Sequence, residues 1–184
     1  MHNFNFRSLF IALAVTLPMA ASAPAFAASK ADLESSSKQA LNQLVAQNPG
    51  AKALNAKAVA VLVFPKVTKA GLGVGGQFGE GVLWRKGKAA GYYNTAGASY
   101  GLQAGAQQYG YAMFFMNQKA LDSLSATQGF EVGVGPSVVV MDEGKAKNIT
   151  SGTLTEDIYA FIFSQKGLMA GLGIQGNKIT RIEK

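Results

Sequence analysis

The sequence has no cysteine and a single histidine, His2, and it holds one tryptophan, five prolines and only ten acidic residues among 184. Without cysteine there are no disulfides, so the fold rests on burial alone. Each of the other scarcities removes a class of chemistry. The lone histidine lies in a stretch that reads as a cleavable secretory signal. Arg7 supplies a positive start, Leu9 to Met19 an apolar run broken by Pro18, and Ala25-Phe26-Ala27 a small-x-small cleavage pattern before Ala28. Ala21-Ser22-Ala23 is a second candidate cleavage site. The apolar run is too short to span a hydrocarbon core of ~30 Å comfortably. Residues 1–27 are therefore expected to be removed, and the exported chain then has neither His nor Cys. Ser-His-Asp and Cys-His catalysis fall away, as do His/Cys zinc and copper sites. No enzymatic residue set emerges, and no cofactor or metal is expected.

Arg7 is the only charged residue of that stretch, so the formal charge falls from +7 to +6 on cleavage. Export argues against nucleic acid as the reason for a positive charge. An anionic membrane surface and plain solubility both fit it. At 48% apolar residues the chain is expected to be globular.

Residues 28–184 are expected to form one α+β domain, helical over 29–56 and β-rich over 57–184. Ser29-Lys30-Ala31-Asp32 resembles a capping box. Leu33, Ala40, Leu41, Leu44 and Val45 follow at helical spacing, and Asn48-Pro49-Gly50 stops the helix. This modest apolar stripe suits packing on the domain or contact with a membrane. Pro49 to Lys57 suits a second short helix.

From Ala58 the texture becomes β. Val59 to Phe64 is continuously apolar, the pattern of a strand buried on both faces. Pro65 to Lys69 reads as a turn. In the next segment Leu72, Val74, Phe78, Val82 and Trp84 share one parity, while Gly71, Gly73, Gly75, Gly79 and Gly81 share the other. A bare glycine face lets another backbone approach closely and permits strong curvature. Arg85-Lys86-Gly87-Lys88 reads as a basic hairpin turn. Further strands are expected at Gly91–Tyr93, Ala98–Phe115, Glu131–Met141 and Tyr159–Phe163, with a short helix at Asn117–Leu124 and a turn at Asp142-Glu143-Gly144. The expected architecture is a curved, mainly antiparallel sheet or barrel behind an N-terminal helix, with one or two further short helices.

Val61 to Val74 matches Phe161 to Ile174 at an offset of 100 residues without a gap, which suggests a pseudo-symmetric sheet. Gly71-x-Gly73-x-x-Gly76 and Gly171-x-Gly173-x-x-Gly176 have the form of a dinucleotide fingerprint. Both continue as strand with no helix to receive a pyrophosphate, so no nucleotide is expected. Asp142-Glu143 and Glu156-Asp157 are adjacent carboxylates that point to opposite faces of a strand, which is wrong for acid/base work. Asn148-Ile149-Thr150 is a glycosylation sequon in form only.

Tyr92, Tyr93, Tyr100, Tyr109 and Tyr111 cluster with Phe114 and Phe115, either as core or as an apolar groove or barrel interior for an acyl chain. Lys66 and Lys69, and Arg85, Lys86 and Lys88, lie on expected turns beside Phe64 and Trp84. Basic turns next to large apolar residues suit phosphate headgroups at an interface.

At these residues the sequence resembles the SYLF family, also known as a yeast-type actin-binding domain. The resemblance rests on Ala60-Val61-Leu62-Val63-Phe64-Pro65-Lys66, Gly71-Leu72-Gly73-Val74-Gly75-Gly76 and Gly97-Ala98-Ser99-Tyr100-Gly101-Leu102-Gln103-Ala104-Gly105. It continues through Phe130-Glu131-Val132-Gly133, Ser137 to Val140, Tyr159-Ala160-Phe161, Lys166-Gly167-Leu168 and Gly171-Leu172. It implies a lipid-binding domain whose eukaryotic relatives bind phosphoinositide membranes, partly through an N-terminal amphipathic helix; fungal members also bind actin. The helix from Asp32 to Gln47 corresponds to it by position. Export argues against actin and phosphoinositides here, and leaves anionic phospholipid of a bacterial envelope as the partner. The expected headgroup contacts are Lys66, Lys69, Arg85, Lys86 and Lys88, and the expected apolar contacts are Phe64, Leu72, Trp84 and Tyr100. A small integral outer-membrane barrel and an envelope adaptor for protein partners are the other two readings.

Overall fold

The computed structural model describes residues 28–125, 129–141, 155–167, 174 and 176–184. The signal-like stretch, the Asp142-Glu143-Gly144 turn, the sequon and Gly171–Gly173 lie outside the described residues, as do the side chains of Leu72 and Tyr100.

Helix α1 spans Lys30–Gln47. Its cap is Ser29, whose Oγ accepts from the Asp32 N–H at 3.2 Å while its hydroxyl donates to the Asp32 carboxylate at 2.6 Å. Asp32 thus binds the cap's hydroxyl, in place of the backbone N–H that a capping box would engage. Asn48 serves two helices. Its N–H closes α1 on the Leu44 carbonyl, and its side chain accepts from the Ala51 N–H at 3.1 Å to open α2, Pro49–Lys57. Pro49 stands where a helix has no use for an N–H. α1 buries Leu33, Ser37, Leu41 and Leu44, with Ala40 and Val45 partly covered. Its apolar stripe therefore faces the sheet, and each buried leucine contributes about 2 kcal/mol.

The centre of the fold is one long hairpin, β1 (Ala60–Arg85) and β2 (Lys88–Phe115). Its turn is Lys86-Gly87, with φ of 50° and 77°; two positive values make the tight turn whose twist matches a hairpin. The turn expected at Pro65–Lys69 is not there. β1 runs straight through it with a bulge, pairing Phe64 with Tyr111 and Val67 with Tyr109, so Pro65 and Lys66 oppose Gly110 alone. Proline has no N–H for a ladder, and a bulge is where a strand tolerates it.

Farther on, the register slips between Leu72 and Gly73, and the hairpin doubles back. A Cβ built on Gly79 would lie 2.7 Å from the Lys66 carbonyl oxygen, and one on Gly81 would lie 2.6 Å from the Val63 carbonyl oxygen and from the Phe64 ring. A straight strand would hold residues 66 and 79 about 43 Å apart. The glycine face expected to admit another backbone does so, and the backbone it admits is the first half of the same strand.

β5 (Ile158–Gly167) pairs with the C-terminal part of β2, and β6 (Lys178–Ile182) with its N-terminal part. β3 (Phe130–Glu131) adds to β6, and β4 (Val138–Met141) runs parallel to β5. The order is β3-β6-β2-β5-β4, with β1 on the other edge of β2. The result is an antiparallel-dominated sheet curled into a half-barrel. α3 (Gln118–Ser123), capped by Asn117, supplies the expected short helix. The repeat has a physical counterpart: β1 and β5 flank β2, and they break register at neighbouring positions of it, β1 between Phe64 and Val67 opposite Gly110 and β5 between Phe163 and Lys166 opposite Tyr109. Gly71 to Gly76 lies inside β1 and not at a strand–helix junction.

Alternation sorts the core. Leu62, Phe64, Tyr109, Tyr111, Met113 and Phe115 fill the inside of the curl, while Val61, Val63, Phe114 and Phe161 meet α1 and α2 outside it. The inside also holds a buried polar chain. Tyr109 donates to Gln77 Oε1 at 2.5 Å, Gln77 donates to Asn177 Oδ1 at 2.5 Å, and Tyr111 donates to Thr95 Oγ1 at 2.7 Å. These bonds tie the second half of β1 to β2 and to the residue ahead of β6. Burial pushes the Tyr109 phenol up from 10.0 to about 12, and raises Tyr111 as well. A raised folded-state value means the folded form keeps its proton after the unfolded chain has lost it. The associated stability is complete below pH 10 and falls as pH rises toward 12. Melting temperature followed by circular dichroism is expected to hold steady up to about pH 10 and to drop above it.

Candidate functional site

Helix α1 lies across the sheet as a ridge with an open groove along each flank. The groove on the hairpin-tip side encloses about 400 Å³ and is lined by Lys38, Leu41, Val45, Trp84, Arg85 and Lys86, among others. Its position follows from the local folding. The tight turn exposes Lys86 and sets Arg85 opposite Lys88. A register shift between Leu83 and Trp84 accompanies the division of these neighbours, Leu83 to the inner core and Trp84 to the α1 side. Trp84 Nε1 donates to Ser37 Oγ at 2.8 Å, which satisfies the buried serine in the middle of the helix stripe. Lys38, the next residue of α1, sets its ammonium 4.8 Å from the centre of the Trp84 ring. Arg85 donates to Gln118 Oε1 at 3.0 Å, which holds the guanidinium over the end of α3.

Three cations thus line the groove together with one half-buried indole, and no carboxylate is among the described residues lining it. Like charges gathered on a low-dielectric floor focus a positive potential outward. The arrangement suits a phosphate or carboxylate with an apolar body attached. The α1 N-terminus is tied separately: Tyr92 donates to Glu34, and Lys30 stands 5.4 Å over the Tyr92 ring.

Of the residues expected from sequence, Trp84, Arg85 and Lys86 come together, and Lys88 is exposed across the turn from Arg85. Lys66 is exposed but sits on the opposite flank of α1. Lys69 is not on a turn; it lies within β1 at 9% exposure, in register with Gln107. Phe64 is fully buried against Tyr111, with ring centres 4.7 Å apart, so it is core and offers no surface to a ligand. The interior that could have held an acyl chain is filled there by these rings. Lys38 was not anticipated. Its only signal is a lysine beside the apolar stripe of α1, and that does not say which strand the lysine will meet.

Residues 96–184 match the family model described as Ysc84: Las17-binding protein actin regulator. No curated protein matches the chain. The matched stretch begins in β2 at Ala96 and runs through α3 to β6, while α1 and the hairpin tip precede it. Over residues 96–184 the chain is thus similar to the SYLF family, whose members are lipid- or actin-binding domains.

Proposed function

We propose that this protein binds anionic phospholipid at a membrane surface, peripherally and without catalysis, after export to the bacterial envelope. The observation that carries the reading is that Lys38, Arg85 and Lys86 line one groove with Trp84, with Lys38 over the indole ring and no carboxylate among the described lining residues. Cationic side chains near an anionic leaflet gain about 1 kcal/mol each, and an indole is at home at the headgroup level. Similarity over residues 96–184 to a family of lipid- and actin-binding domains supports binding as the activity, and the signal-like N-terminus supports an envelope lipid over cytosolic actin. Peripheral contact is supported by the strand surfaces. Val61 to Phe64 is covered on both faces, and Lys66, Thr68, Arg85 and Lys88 point outward, unlike the apolar band of an outer-membrane barrel. No described helix is long and apolar enough to cross a membrane.

Co-sedimentation tests this. The protein is expected to pellet with phosphatidylglycerol vesicles, to remain in solution with phosphatidylcholine vesicles, and to be released by 1 M salt, where the screening length shrinks to about 3 Å. Equal, salt-insensitive pelleting with both would remove the headgroup role. Pelleting with actin filaments in place of vesicles would favour the activity named in the family description.

A further inference from the structure

The second flank of α1 is a different kind of surface. Here a trough of about 740 Å³ runs between α1 and β1, walled by Leu33, Ala40, Pro65, Phe78 and Phe163, with the exposed Lys66 on the strand side. Phe78 is 53% exposed, and Val74, on the same side of β1, is 66% exposed; together with Val134 they are the large apolar residues left in solvent among the described ones. We propose that this trough takes one acyl chain of a phospholipid, with Lys66 meeting the phosphate, so that the protein holds a single lipid as well as resting on a bilayer. This deepens the phospholipid reading and rests on it.

Three observations select the occupant. The helix wall from Leu33 to Gln43 is about 15 Å long, the depth of one leaflet of a ~30 Å hydrocarbon core. The charge is complementary to an anionic head: the trough's carboxylate, Glu80, is already paired with Lys184 at 2.9 Å, which leaves the ammonium of Lys66 as the unneutralised side-chain charge among the described lining residues. An extended peptide fits poorly, because the β1 floor bulges at Pro65, which has no N–H to offer an added strand.

The test uses palmitoyl lysophosphatidylglycerol below its micelle concentration, titrated calorimetrically into the purified protein. One-to-one binding is expected, with glycerophosphoglycerol giving no heat. Thr68→Trp fills the trough from its floor and Gln39→Trp from its helix wall; each is expected to weaken binding about tenfold or more. Both should keep the wild-type melting temperature and still pellet with anionic vesicles. Lys66→Gln should weaken the lysophospholipid but not monopalmitoylglycerol. Lysophospholipid binding that neither tryptophan alters, or no binding while vesicles still pellet, overturns the trough and leaves the surface reading standing. Loss of vesicle pelleting in the unaltered protein defeats the surface reading itself. Displacement of bound lipid by dimerisation would assign the trough to a second copy and also overturn the proposal.

Discussion

Gly81→Ala is expected to lower the unfolding free energy by about 3 kcal/mol, while Gly76→Ala changes it by less than about 0.5 kcal/mol. The two sites are five residues apart in one strand and receive the same methyl group. At Gly81 that methyl would sit 2.6 Å from the Val63 carbonyl oxygen and the Phe64 ring; at Gly76 the nearest atom is the Gly97 oxygen at 3.8 Å. Comfortable carbon contacts begin near 3.5 Å. Neither neighbour of Gly81 can yield, since Val63 is backbone within a ladder and Phe64 is wedged on Tyr111. Urea unfolding followed by the fluorescence of Trp84, the only tryptophan, measures both midpoints. Equal midpoints would mean that β1 does not fold over itself.

The second large effect falls on binding. Arg85→Glu combined with Lys86→Glu removes two favourable charges and adds two repelled ones. At about 1 kcal/mol per charge this is about 4 kcal/mol, or roughly a thousandfold weaker partition onto anionic vesicles. Both side chains are exposed on the turn, and the left-handed φ of Lys86 is no worse for glutamate than for lysine, so the fold should be unaffected. Wild-type melting with vesicle pelleting lost is the expected pair of results. Retained pelleting would place the contact elsewhere on the surface.

What the sequence shows and what it hides divide along the range of the interactions. Val59 to Phe64 is legible as a doubly buried strand because its own composition says so. Asn48-Pro49 is legible as a helix boundary because capping is local. The glycine parity shows that a close approach exists, yet it cannot name the partner, which lies thirteen to eighteen residues back in the same strand. The misreading at Pro65 has a downstream cost. A bulge adds a residue to one strand and reverses the alternation beyond it, so that Val67 and Lys69 follow Phe64 inward, where a turn would have left Lys69 outside. Lys69 as a headgroup contact was lost by that one insertion. Lys38 joined the site for the opposite reason, because the tip of a long hairpin returns to the flank of α1. The bond between Gln77 and Asn177 is equally long-range, although the two residues are related by the same 100-residue offset as the visible repeat.

Trp84 gives the most direct test of lipid contact at the hairpin tip, since its emission comes from that groove alone. Vesicles of phosphatidylglycerol brominated along the acyl chain near the headgroup are expected to quench this emission, and 1 M salt or the Arg85→Glu, Lys86→Glu pair to restore it. Protein that pellets with the same vesicles while its Trp84 emission stays unquenched would contradict the account.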